Sequence, residues 1–294
     1  MPREFWLLGA VFAAVFGAMV GSFLNVCIYR IPLDQSVVTP RSHCMSCGKL
    51  IPWYHNLPIL SYFILRGKCA YCKAIFGFRY ALIELLTAFL FVAVWCTLPP
   101  GTPLAAYAVA PVWWLFLAGL VIATFVDFDH FIIPDSVSIG GMAAGVIISA
   151  LVPSIHGETV WHQGAMWSVI GLAVGFVPLQ TIRLVGTWYY RWRGRIAKDE
   201  YAMGFGDIKL IGAIGAFLGA YGAFFSIMAA ALIGTLVALP FVLIGKKALL
   251  DRIPFGPYLS LGAAVWLFAG TYLMRQFMLF TALPPQMMFI SNKQ

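Results

Sequence analysis

The hydrophobic positions of this chain come in long runs separated by short polar or Pro/Gly turns. The first covers residues 5–26 without a single charge, and further runs lie at roughly 80–98, 111–128, 136–153, 164–186, 207–220, 222–244 and 257–276. Most are long enough for a helix to cross a hydrocarbon layer of about 30 Å. The first run lacks both a strong basic flank before it and a small-x-small cleavage site after it. It is therefore taken as a transmembrane helix and not as a signal peptide. Gly17 and Gly21 within it form a small-xxx-small pair suited to close helix packing. The pattern predicts an all-α polytopic protein with about eight transmembrane helices. The Gly-rich pair between Asp207 and Gly245 reads either as two spans or as one hairpin of uneven arms.

The stretch 28–79 breaks this pattern. It is polar, Pro-rich and Cys-rich, and carries Arg30, Arg41, Lys49, Arg66, Lys68, Lys73 and Arg79 against one acid, Asp34. Three domains follow: transmembrane helix 1 (1–27), an inserted polar domain (28–79), and a membrane core (80–294).

Composition agrees with this division. The chain is 62% hydrophobic and 10% charged, with a mean hydropathy of +0.89, which excludes a soluble domain. The net charge of +8 does not point to nucleic acid, because the basic residues collect in loops on one side. Counted through eight spans, those loops are 28–79, 187–206 and 245–256, whereas 99–110 and 154–163 have no Lys or Arg. The positive-inside rule then makes the basic side cytoplasmic. Trp6, Trp188 and Tyr189, near span ends, read as interface anchors.

Candidate chemistry lies in two places. Cys44, Cys47, Cys69 and Cys72 form C-x2-C, a gap of twenty-one residues, then C-x2-C. That spacing suits two zinc knuckles closing one tetrahedral site. Thiols in a cytoplasmic loop stay reduced, which favours structural zinc over two disulfides. Gly48 and Gly67 stand where such turns need conformational freedom. Cys27 and Cys96 read as small apolar residues.

The second place is a pair of acids. Asp207 follows Gly204-Phe205-Gly206 where an apolar run begins, and Asp127 stands at the end of an earlier run. A carboxylate at membrane depth costs at least ~2.5 kcal/mol, so it points to function. The eight-span topology puts both acids at the cytoplasmic membrane edge. Asp129 faces another way on a helix and reads as a solvated acid, and Asp135 as the N-cap of the fourth span. His130 reads as an interfacial polar residue, and Lys209 as a charge that either biases the pair or snorkels to the headgroups.

Taken together, these residues resemble the bacterial prepilin peptidases, membrane aspartyl proteases of type IV pilus and type II secretion systems. The likeness covers nearly the whole chain. It rests on Gly21-Ser22-Phe23-Leu24-Asn25-Val26-Cys27-Ile28-Tyr29-Arg30-Ile31-Pro32, the Cys pairs, Asn56-Leu57-Pro58-Ile59-Leu60-Ser61, Arg79-Tyr80 and Glu84. It continues through Asp127-x-Asp129, Ile133-Pro134-Asp135, Gly204-x-Gly206-Asp207-x-Lys209 and Ile253-Pro254-Phe255-Gly256-Pro257.

The resemblance implies a bacterial inner-membrane enzyme that removes the basic leader of type IV prepilins or type II secretion pseudopilins at the cytoplasmic face. Asp127 and Asp207 would be catalytic, supported by Gly204, Gly206, Lys209 and Asp129, with membrane lipid as surroundings and no nucleic-acid partner. It also implies N-methylation of the new N-terminus from S-adenosylmethionine, with Arg79 and Glu84 as candidate residues. His55 and Ala81 depart from the family pattern in the region tied to methylation, and the loop from Thr187 to Ala202 is longer and more basic. Rival readings are a peptidase without methyltransferase activity, an acid-pair transporter or channel, and an assembly factor that docks through the zinc loop.

Overall fold

The computed structural model describes residues 1–194, 201, 203–243 and 254–280. Among these the chain is helical, with two isolated antiparallel bridges and no β-strand. In order the helices are α1 (Arg3–Arg30), α2 (Leu60–Ile64), α3 (Arg79–Cys96), α4 (Val109–His130), α5 (Asp135–Leu151), α6 (Trp161–Trp192), α7 (Phe205–Leu243) and α8 (Gly256–Phe280). All but α2 fall on the apolar runs of the sequence. Six are long and apolar enough to cross a membrane, and α5 is a shorter apolar helix.

The eight expected spans occupy seven helices, because 207–220 and 222–244 are successive parts of α7. A straight helix of its 39 residues would be about 58 Å long, nearly twice the thickness of a hydrocarbon core of about 30 Å. Gly219 breaks it, with φ 72° and ψ −176°. An L residue rarely adopts a φ of that sign, so glycine is what permits the break. The basic residues Arg195, Lys198, Lys246, Lys247 and Arg252, on which part of the charge pattern rests, lie outside the described residues.

The chain divides within α4 into two compact units, Met1–Ile122 and Ala123–Gln294. In the first, α1 packs on α3 through the small-residue stripe seen in the sequence. A Cβ at Gly17 would lie 2.8 Å from the Ala88 Cα, and one at Gly21 2.7 Å from the Glu84 Cα, so only hydrogen at these positions lets the backbones approach. Aromatic rings fill the rest of the core. Phe91 and Trp114 stack at 5.0 Å with planes 3° apart. Trp6 is more than an interface anchor: its Nε1–H donates to the Leu98 carbonyl at 2.7 Å, and its own carbonyl accepts from Trp95 Nε1 at 3.0 Å.

In the second unit α6 and α7 meet backbone to backbone. A Cβ at Gly171 would stand 2.1 Å from the Gly215 carbonyl oxygen, and one at Gly175 2.4 Å from that of Ile211. The break at Gly219 leaves carbonyls near the end of the first arm of α7 in need of donors. The buried hydroxyl of Ser168 donates to the Ala216 carbonyl at 2.7 Å, and Ser149 Oγ, which donates to the Gly145 carbonyl at 2.6 Å, stands 3.4 Å from the same oxygen. His156, in the turn after α5, hydrogen-bonds the same carbonyl, and its Nε2 lies 3.0 Å from Ser149 Oγ. Burial lowers the His156 imidazole from 6.5 to about 4, against the pull of the Ala216 carbonyl and Glu158.

Candidate active site

Two helix ends bring the acids together in the second unit. Asp127 lies in the last turn of α4 and is only 4% exposed. Its backbone carbonyl accepts from Phe131 N at 3.0 Å, closing the helix there. Asp207 lies in the first turn of α7, partly exposed, where a negative charge complements the helix N-terminus. The two carboxylates are within electrostatic reach of each other.

The glycines of the motif leave room for this arrangement. A Cβ at Gly204 would come 3.3 Å from Asp207 Oδ2, and one at Gly206 would come 3.2 Å from the Ile133 Cβ. Ile133 belongs to the short link between α4 and α5, so this link packs directly against the turn that carries Asp207.

A third helix start completes the site. The Gly256 N–H, at the beginning of α8, donates to Asp127 Oδ2 at 2.9 Å. A Cβ on Gly256 would lie 2.9 Å from that oxygen and 3.1 Å from Ile133 Cδ1. This backbone donor escaped the residue-type argument, since only side chains were weighed there. Its signal in the sequence is the Phe255-Gly256-Pro257 turn, quoted above without a role.

The neighbouring charged residues sort differently. The Asp129 side chain is exposed, as its helical offset from Asp127 requires. Lys209, 12% exposed, pairs with Asp135, 65% exposed, and its ammonium stands 5.1 Å from the centre of the Phe205 ring. The cap expected of Asp135 is not made. Pro134 holds that position, no side chain caps the helix, and the Asp135 carboxylate meets Lys209 instead. The pair ties the start of α5 to the turn of α7 that bears Asp207.

In the first unit the four sulfurs of Cys44, Cys47, Cys69 and Cys72 all lie within 4.8 Å of one another and could hold a metal ion. Cys44 Sγ and Cys72 Sγ are 3.7 Å apart, and all six cysteines of the chain are free thiols. The two knuckles share one construction. Cys44 N donates to Lys49 O and Gly48 N to Cys44 O; likewise Cys69 N donates to Ala74 O and Lys73 N to Cys69 O. The residue four after each leading cysteine turns left-handed, Gly48 at φ 69° and Lys73 at φ 60°. Lys73, and not Gly67, therefore matches Gly48; Gly67 closes the turn after α2 by donating to Tyr62 O at 2.8 Å. The backbone N–H groups of Cys47 and Ser46 lower the Cys44 thiol to about 6. Against the pull of the Ala74 backbone, burial and the three neighbouring thiols raise Cys72 to about 11, so four thiolates together need a cation among them.

Glu84 and Arg79, the pair named for methyl transfer, have different surroundings. Glu84 is 9% exposed and accepts from Ile59 N at 2.6 Å and from the Ser22 hydroxyl. It thus clamps the Asn56–Ile59 turn, where Ile59 has φ 64°, onto α1 and α3. Arg79 is exposed at the start of α3.

Residues 15–98 match the model of the Bacterial Peptidase A24 N-terminal domain, and residues 114–239 that of the Type IV leader peptidase family. The chain is 39% identical over 219 residues to a prepilin leader peptidase/N-methyltransferase of Myxococcus xanthus, covering 74% of this chain and 58% of that protein. It is 32% identical over 289 residues to the enzyme of that name from Aeromonas hydrophila, covering 90% and 92%. A type 4 prepilin-like proteins leader peptide-processing enzyme of Escherichia coli is 31% identical over 274 residues, covering 86% and 91%. No solved structure matches the chain.

Proposed function

The chain belongs to the type IV leader peptidase family, and on that premise we propose that Asp127 and Asp207 are the catalytic pair of an intramembrane aspartyl endopeptidase. Its substrates are type IV prepilins or type II secretion pseudopilins, and it removes their basic leader. The observation that carries this reading is the meeting of two carboxylates at helix ends, one of them fixed by the Gly256 N–H.

Like charges at this separation do not both ionise cheaply, so the pair holds one proton and titrates as a unit. The ionised member takes a proton from water as the water oxygen attacks the scissile carbonyl. The protonated member donates to that carbonyl oxygen. As the resulting gem-diol collapses, one hydroxyl gives its proton back to the pair, the C–N bond breaks and the leaving nitrogen takes a proton from the pair, which so ends with one proton as it began. The Gly256 N–H holds Asp127 in place whichever member carries the proton. Asp129, exposed two residues on, supplies negative charge for a basic leader, and the Lys209–Asp135 pair holds the Asp207 turn.

The enzyme is a multi-pass inner-membrane protein with its basic loops, including 28–79, in the cytoplasm. In that loop the four thiolates hold zinc as a closed structural site. Tetrahedral Zn–S bonds of about 2.3 Å set sulfurs about 3.8 Å apart, and the 3.7 Å between Cys44 and Cys72 supports this fit. Residues 80–294 form the peptidase core. The second activity is N-methylation of the new N-terminus from S-adenosylmethionine, supported by the names of the relatives.

The test is mass spectrometry of a type IV prepilin incubated with purified protein and S-adenosylmethionine, beside Asp127→Asn and Asp207→Asn. Loss of the leader that both variants abolish is expected, followed by gain of one methyl. Loss without the methyl would leave a peptidase alone. An intact prepilin would sink the assignment of Asp127 and Asp207 as the catalytic pair.

A further inference from the structure

The polar segment 28–79 contains one helix, α2, whose apolar side chains point out of the first unit. Leu60 is 59%, Phe63 60% and Ile64 70% exposed, and their spacing of three and four residues sets them on one face. Ser61 is buried on the other side, where the Tyr62 ring meets Phe78 edge-on at 5.7 Å. That contact decides where the exposed face lies. Phe78 heads a stripe of exposed apolar residues, Leu82, Leu85 and Phe89, turned away from the side of α3 that meets α1 through Glu84 and Ala88. On a helix that crosses a membrane such a stripe faces lipid. The level of α2 is set by Glu84, which accepts from Ile59 N, just before α2, and from the Ser22 hydroxyl. Glu84 stands five residues inside α3, counted from Arg79, and Ser22 eight inside α1, counted from Arg30. At 1.5 Å per residue the turn is therefore tied about 7–12 Å within the ends of the two spans. The helix starts beside the lipid boundary and not above it.

We propose that the face formed by Leu60, Phe63 and Ile64 is seated in the headgroup layer of a bilayer containing anionic lipid, and that it holds the four-cysteine segment against the membrane surface. The charge around it fits that occupant. No Asp or Glu occurs from residue 35 to residue 83, and Arg66, Lys68 and Lys73, which follow α2, are all exposed. An apolar helix face beside basic residues binds a bilayer through buried apolar area and attraction to anionic headgroups, and each Lys or Arg near such a surface strengthens binding about fivefold. A protein partner fits less well. Three side chains of a five-residue helix fall well short of the about 800 Å² that each member of a stable protein pair buries. The seat is also coupled to the thiols. Gly67 N donates to Tyr62 O at 2.8 Å, and Gly67 O accepts from Phe76 N at 2.7 Å, so α2 and the second knuckle are built as one piece. The inference rests on α1 and α3 crossing the membrane and on neither enzymatic activity.

The test uses the full-length protein in vesicles of phosphatidylethanolamine with phosphatidylglycerol, and in vesicles of phosphatidylcholine alone. The photoreactive residue p-benzoylphenylalanine replaces Phe63 or, as a second position, Ile64; Phe89 on the α3 stripe is the positive control. After ultraviolet exposure the adducts are mapped by mass spectrometry. Probes at 63 and 64 should carry phospholipid, as the probe at 89 does, with a several-fold higher yield when phosphatidylglycerol is present. Arg66→Gln combined with Lys68→Gln should lower the yield at 63 several-fold and leave that at 89 unchanged, with the wild-type helical circular dichroism retained. Probes at 63 and 64 that couple to another segment of this chain or to a second copy, or that stay free of lipid while the probe at 89 is labelled, would overturn the proposal. Equal yields in the two kinds of vesicle would overturn its anionic part.

Discussion

Gly256→Ala tests the arrangement of the acids at a point where no side chain is chemically involved. The substitution keeps the backbone N–H that donates to Asp127, so any effect comes from the added methyl group. That carbon would lie 2.9 Å from Asp127 Oδ2 and 3.1 Å from Ile133 Cδ1, closer than ordinary contact in both directions. Asp127 is 4% exposed and rooted in a helix turn, so its carboxylate has little room to swing aside. Relief requires a displacement of a few tenths of an ångström or more, which lengthens the 2.9 Å bond from Gly256. Hydrogen bonds to charged groups contribute about 1.5–3 kcal/mol, and misplacing a reacting group by about 1 Å costs about a hundredfold in rate. Leader cleavage, followed by mass spectrometry under single-turnover conditions, should therefore fall between about tenfold and a hundredfold. Gly140→Ala is the control, because its Cβ would meet nothing nearer than 4.0 Å. A Gly256→Ala enzyme that cleaves within twofold of wild type would refute the claim that this turn sets the position of Asp127.

Three further outcomes follow from the packing and the polar clusters. Gly171→Ala would drive a Cβ to 2.1 Å from the Gly215 carbonyl oxygen, and since backbone cannot yield as a flexible side chain does, thermal stability should fall by about 3 kcal/mol or more. His156 has its imidazole lowered from 6.5 to about 4, so between those values the unfolded chain binds a proton that the folded chain does not. Stability should be level above pH 6.5 and decline toward pH 4 by up to about 3 kcal/mol; a His156→Gln variant whose unfolding midpoint keeps the wild-type pH slope would contradict this. Elemental analysis should find one zinc per chain, lost in Cys44→Ser. Proteolysis should then cut within residues 28–79 while the helical circular dichroism stays nearly unchanged, because the metal and not an apolar core holds that segment.

Much of the architecture was legible in the chain itself. Spans could be read because a helix in lipid satisfies its own backbone, so an apolar run of sufficient length has one outcome. The two Cys-x2-Cys pairs could be read because their spacing carries the tetrahedral geometry locally, and the four sulfurs do converge. The acids stood out because charge at membrane depth is costly. The limits of local reading show at particular residues. Asp135 looks like a cap, but its carboxylate meets a lysine 74 positions away. Gly67 looks like a knuckle residue, whereas Lys73 takes that left-handed place.

The sequence by itself determined where helices form, which thiols lie together and which two carboxylates stand at the ends of apolar runs, because each depends on neighbours along the chain or on the solvent a segment enters. Tertiary structure alone decided which backbone groups meet them. The Gly256 N–H reaches Asp127 across 129 residues, and Ser168 and His156 meet on the Ala216 carbonyl, close before the break at Gly219. Every residue but proline has the same N–H and C=O, so nothing in a residue's identity announces which distant group they will bond. That choice is made when helices pack, at the glycines that let them come close.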